Sequence, residues 1–116
     1  MLELTVVDNR KTWQTLKALV LDSVSSPNTR RIYNMALDEF VAWYALEPRP
    51  GFARATVNAW RVSLEVRKLS SSSINVRLSA VRKLALEAVQ NGLLDAALAV
   101  GIMSVEGVKK LGVRIG

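Results

Sequence analysis

Between positions 54 and 83 the chain carries seven basic residues (Arg54, Arg61, Arg67, Lys68, Arg77, Arg82 and Lys83) against a single acid, Glu65. Earlier, Arg30 and Arg31 stand beside Thr29 and Asn34, and a run of four serines, Ser70 to Ser73, precedes Asn75 and Ser79. Guanidinium and ammonium groups neutralise phosphates, and Ser, Thr and Asn side chains donate to phosphate oxygens or read base edges. The chemistry these types can do together is the binding of a polyanion. An ordinary solvated helix face carries the same residues, so charge placement alone leaves that alternative standing.

Bond-making chemistry has far less to draw on. The 116 residues include no histidine and no cysteine, which removes the commonest general base, the commonest metal ligand and every thiolate site. Asp38 and Glu39 are adjacent, hence about 100° apart on a helix and unable to converge. The other acids are scattered singly. Tyr33 and Tyr44 lie on or beside an apolar arc with no histidine or arginine cluster to activate them, and are expected to be core. Neither a glycine-rich phosphate loop nor a calcium-loop spacing is present. The expectation is no catalytic residue, no metal and no cofactor.

The formal net charge of +6 favours nucleic acid or an anionic membrane surface as partner. No apolar run approaches the roughly 20 residues of a membrane span, and residues 1–9 lack the basic-then-apolar layout of a secretory signal. No membrane partner is expected, and a chain without cysteine suits a reducing cytoplasm.

Helices must position these groups. Residues 1–9 read as an extended lead-in, with Leu4, Val6 and Val7 as packing anchors. Trp13, Leu16, Val20 and Leu21 then recur at helical spacing, predicting a first helix over 10–23. Ser26 and Pro27 open a second, over 27–45, in which Ile32, Tyr33, Ala36, Leu37, Phe40, Trp43 and Tyr44 share one arc. After the loop at 47–51, a third helix is predicted over 54–68, with Val57, Trp60 and Leu64 inward. A fourth, capped by Ser71 or Ser72, runs to about Asn91 and stops at Gly92. An apolar stretch to Met103 follows. Ser104 then caps a short closing helix over 105–111. Trp13, Trp43 and Trp60 could stack bases, but at helical spacing among aliphatic residues they are assigned to packing. No strand alternation and no internal repeat is visible.

Ser26-Pro27-Asn28-Thr29-Arg30-Arg31-Ile32-Tyr33, followed by Leu37-Asp38-Glu39-Phe40 and Trp43, resembles the opening helix of tyrosine-recombinase (phage integrase) core-binding domains. Leu69-Ser70-Ser71-Ser72-Ser73-Ile74-Asn75-Val76-Arg77-Leu78-Ser79-Ala80-Val81-Arg82 resembles that family's second pattern, with Ala88, Asn91 and Gly92-Leu93 agreeing. The resemblance implies an all-α, four- to five-helix SAM-like orthogonal bundle, a single domain over 1–116 that clamps double-stranded DNA at a recombination site. It further implies partnership with a catalytic domain of the same parent protein and with other recombinase protomers on DNA, in a prokaryotic cell or phage-infected host. Carried over by position, Thr29, Arg30, Arg31 and Asn34 face DNA from the second helix. Ser72, Ser73, Asn75, Arg77, Ser79, Arg82 and Lys83 do so from the fourth. The helical wheel dissents for Arg77, which falls near the apolar arc.

The family's catalytic residues belong to a domain expected after this chain, and residues 105–116 read as the approach to it. Strand cleavage and rejoining are not expected of this piece. The alternative is a helical protein-interaction module without a DNA role, drawing on the apolar residues Leu94, Leu98, Val100 and Ile102.

Overall fold

The computed structural model describes residues 6–109, with side chains from Thr12 onward. Five helices follow one another: α1 (Val6–Asp22), α2 (Pro27–Ala45), α3 (Arg54–Val66), α4 (Ser71–Gln90) and α5 (Ala96–Met103). The described residues contain no strand.

Helix α1 starts four residues before its expected start, because nothing between Val6 and Trp13 breaks a helix. No Gly or Pro intervenes, and two valines lower propensity by only a few tenths of a kcal/mol each. Positions 6–9 are therefore helical and no extended lead-in exists there; the anchor role of Leu4, Val6 and Val7 lies outside the described residues and side chains. Helix α2 has the predicted bounds. Ser26 is extended (φ −74°, ψ 122°) and accepts from the Thr29 amide at 3.3 Å, with Pro27 in the first turn, where its missing N–H costs nothing.

Helix α3 ends at Val66 instead of continuing to Lys68. Leu69 donates to the Leu64 carbonyl and Lys68 to that of Glu65, the paired bonds of a Schellman ending. That ending puts Lys68 in the left-handed region, at φ 62°, where a glycine usually sits. Because Leu69 tucks back against the core, the chain re-emerges extended at Ser70 (φ −65°, ψ 157°). Ser70 therefore caps α4, accepting from the Ser73 amide at 3.1 Å, and Ser71 and Ser72 become its first helical residues. Helix α4 ends on the same device with the usual residue: Gly92 has φ 70°, and Leu93 donates to the Ala88 carbonyl at 2.8 Å.

The last helix occupies the apolar stretch itself. Asp95 caps α5 through the Ala97 amide, and Ser104 closes the helix where it was expected to open one. Residues 105–109 are not helical, and 110–111 lie outside the described residues. Gly101 lies within α5 where it passes close to α3: a Cβ there would lie 3.3 Å from the Arg54 Cβ, tighter than an ordinary contact.

The helices enclose a core in which Trp13, Phe40, Tyr44, Phe52 and Trp60 meet edge-on or tilted, with ring centroids 5.0–6.2 Å apart, geometries that aromatic quadrupoles favour. Trp13 and Trp60 are fully buried and Trp43 packs at the rim, with the Arg49 guanidinium 3.5 Å above its ring. Arg49 also donates to the Trp43 carbonyl through Nε and Nη2, ending α2. Tyr44 is buried and donates to the Pro50 carbonyl at 3.1 Å; Tyr33 packs against the core. The three tryptophans and two tyrosines weighed as base-stacking or nucleophilic candidates thus all pack in or against the core.

Candidate nucleic-acid interface

The N-terminal halves of α2 and α4 lie side by side. Ile32 and Met35 from α2 face Ser72, Ser73, Val76 and Arg77 from α4 across a shallow groove open to solvent. Both helices open on a serine cap with no acid in the first turn, so the partial positive charge of their free amides is not offset locally.

On α2, Arg31 is exposed and donates through Nη2 to Asn28 Oδ1 at 2.5 Å. It sits one turn before Met35 on the outward face. Arg30, its neighbour, turns the other way and gives Nη1 to the Leu21 carbonyl at the end of α1. Thr29 and Asn34 are half-buried.

On α4 the expected residues split into three groups. Ser72 is exposed, and Ser79 and Lys83 are half-exposed along the same outward line; the Ser72 hydroxyl shares a hydrogen bond with Ser70 Oγ. Asn75 and Arg82 lie along a second line and are committed to the chain's own coil: Asn75 Nδ2 donates to the Val108 carbonyl at 3.0 Å, its Oδ1 accepts from the Val108 amide at 2.7 Å, and Arg82 Nη2 donates to the Val105 carbonyl.

Arg77 is buried, only 7% exposed. It donates to Glu39 through Nε at 3.1 Å and Nη2 at 3.4 Å, and through Nη1 to the Ser73 carbonyl and hydroxyl. A charged group out of water requires a counter-charge and satisfied donors, and Glu39 with Ser73 supplies both. Arg77 and Ser73 therefore bind α4 to α2 at the wall of the groove, with the guanidinium engaged within the fold.

Burial pushes the Glu39 carboxyl up, but the hydrogen bonds and charges of Arg77, and then of Arg67 at 3.4 Å, outweigh it and hold the group below its ordinary value. Glu39 is the partner that sequence reasoning missed. Its signal was present, because an arginine on an apolar arc demands an acid on the facing helix. The apolar floor of Ile32, Met35 and Val76 was also missed.

Among the described residues no cluster of His, Cys, Asp and Glu could hold a metal, and no helix is long and apolar enough to cross a membrane.

Residues 14–92 match the family described as phage integrase, N-terminal SAM-like domain. A tyrosine recombinase of Synechococcus elongatus is 37% identical over 84 aligned residues, covering 62% of this chain and 26% of the relative. The chain thus spans about a quarter of the length of that relative. No solved structure matches it. The family match runs from within α1 to the glycine that ends α4, taking in both serine-capped helices and the groove between them; the chain belongs to the phage integrase N-terminal SAM-like domain family.

Proposed function

We propose that this domain binds double-stranded DNA as the core-binding domain of a site-specific tyrosine recombinase, contributing one side of a clamp around the recombination site. The observation that supports the reading is the pair of acid-free, serine-capped helices flanking one groove, with Ser72 in its lining, Arg31 exposed on α2, and Ser79 and Lys83 half-exposed further along α4. Cations of this kind neutralise phosphates and helix N-termini accept them, while the hydroxyls fix register. In this reading strand cutting and rejoining fall to a catalytic domain of the parent protein, and neighbouring protomers on the same DNA are further partners. Arg77, Ser73, Asn75 and Arg82 serve the interface from behind by holding its two helices and the coil beside them.

The test is a fluorescence-anisotropy titration of a labelled duplex at two salt concentrations, with Arg31→Ala and Lys83→Ala compared with the unaltered domain. Each variant should lose one phosphate contact, roughly a fivefold loss of affinity near 0.15 M salt from counterion release alone, with the log–log salt slope smaller by about 1. A second reading rests on α5, where Leu98, Val100 and Met103 remain exposed as a protein-interaction face would require. Failure of the unaltered domain to bind duplex even at low salt would transfer the assignment to that surface.

A further inference from the structure

Residues 105–109 do not trail from the bundle. Val105 is buried and Val108 packs against the core, while Arg82 takes the Val105 carbonyl and Asn75 takes both polar groups of Val108. From Arg82 back to Asn75 is seven residues of helix, about 10 Å at 1.5 Å per residue. From Val105 to Val108 is three residues of non-helical chain, which can span up to about 10 Å. The segment therefore runs antiparallel to α4, back toward its N-terminal turn, as a strap laid along the helix. Gly107 shows how closely it lies. A Cβ there would fall 2.6 Å from Asn75 Oδ1, and that oxygen cannot swing away without surrendering its bond to the Val108 amide.

The strap lies beside the line of Ser72, Ser79 and Lys83, and its next residue, Lys109, is exposed and heads toward the start of α4. Lys109 has no acid partner among the described residues. We infer that the docked strap is a second DNA-contacting element, which delivers Lys109 to the edge of the α2–α4 face and is kept there by Asn75 as a positioning residue. The inference rests on the DNA-binding reading above. Its physical basis is preorganisation: a cation on a floating tail loses conformational entropy on binding that a cation on a clamped strap has already lost.

Two variants test it in the same duplex titration. Lys109→Glu alters an exposed side chain and leaves the fold intact; it should weaken binding about fivefold or more near 0.15 M salt. Asn75→Ala, with its helicity checked by circular dichroism, should weaken binding by a smaller factor. It should also remove hydrogen-exchange protection from the Val108 amide, which a purely local packing change would leave in place. If Lys83→Ala weakens binding while Lys109→Glu leaves it unchanged, the strap inference fails and the DNA-binding reading stands. Tighter binding by Asn75→Ala would overturn the inference by showing the strap to be a competitor for the face. Absence of binding by the unaltered domain would remove both.

Discussion

Replacing Arg77 with alanine separates the two roles that an arginine on α4 can have. Its side chain is 9% exposed and that of its partner Glu39 29%, so the pair lies between two limits. Breaking a wholly buried pair costs about 3–5 kcal/mol, whereas an exposed pair contributes about 0–1 kcal/mol. Glu39 keeps some access to water and keeps Arg67 at 3.4 Å, so the carboxylate is not stranded. The aliphatic stem of Arg77 is lost from the α2–α4 contact as well. These considerations place the cost at about 2 kcal/mol, which for a chain of this size lowers Tm by roughly 8–12 °C. Urea unfolding followed by the fluorescence of the buried Trp13 and Trp60 measures it directly. A double-mutant cycle with Glu39→Gln should return a coupling of about 1–2 kcal/mol. Well below its melting temperature, Arg77→Ala should bind duplex within about twofold of the unaltered domain, because a buried guanidinium neutralises no phosphate. Unchanged stability together with a large loss of DNA affinity would refute the reasoning and show that Arg77 reaches the nucleic acid.

Acid should weaken the same contact. The folded pKa of Glu39 is held down by Arg77 and Arg67 against burial, so its contribution is present above the unfolded glutamate value, near about 4.3, and is lost as pH falls through the lower folded value. The stability gap between the unaltered domain and Glu39→Gln should accordingly narrow between pH 7 and pH 3, and an unchanged gap in urea midpoints would contradict this. At the end of α3, Lys68→Gly should raise stability by about 1 kcal/mol by relieving a left-handed side-chain-bearing residue, and Gly92→Ala should lower it by about as much at the end of α4. Equal and opposite shifts in urea midpoint at constant slope check both.

Most of the architecture was legible because the chain punctuates it. Ser26 and Pro27 fix the start of α2, and Gly92 fixes the end of α4. Aromatic and aliphatic residues at helical spacing identify the inward faces. Errors fell where a residue's role depends on what precedes it in space. Ser70 caps α4 only because the ending of α3 turns the chain at Lys68 and tucks Leu69 inward; from the four serines alone, each is an equivalent candidate. Likewise Asp95 and Ser104 are both good caps by type, and the core contacts of Ala99 and Ile102 decide that the helix lies between them. The site was less legible still. Nothing local to Asn75 or Arg82 reveals that their partners are backbone groups of a coil 33 and 23 residues away.

Those commitments change what the net charge means. Lys17 pairs with Asp38, Arg61 with Glu65 and Arg67 with Glu39, while Arg30, Arg49 and Arg82 close the carbonyls of Leu21, Trp43 and Val105. These carbonyls lie at helix ends or in coil, where a long guanidinium can add a donor to a group that the regular helical ladder does not serve. The basic residues are thus used first to finish the fold. Those left with no acid partner and no backbone carbonyl to hold are few among the described residues: Arg31, Arg54, Lys68, Lys83 and Lys109, with Arg31 on the Asn28 side-chain oxygen and Arg54 on the Ser104 hydroxyl. If these supply the phosphate contacts, they account for a salt slope of at most about −4.5, a modest grip. Such a grip suits one side of a clamp, whose affinity comes mainly from joining it to a second binding surface at high effective concentration. It also explains why a strap held by Asn75 matters: with few cations to present, the position of each one carries a large share of the binding.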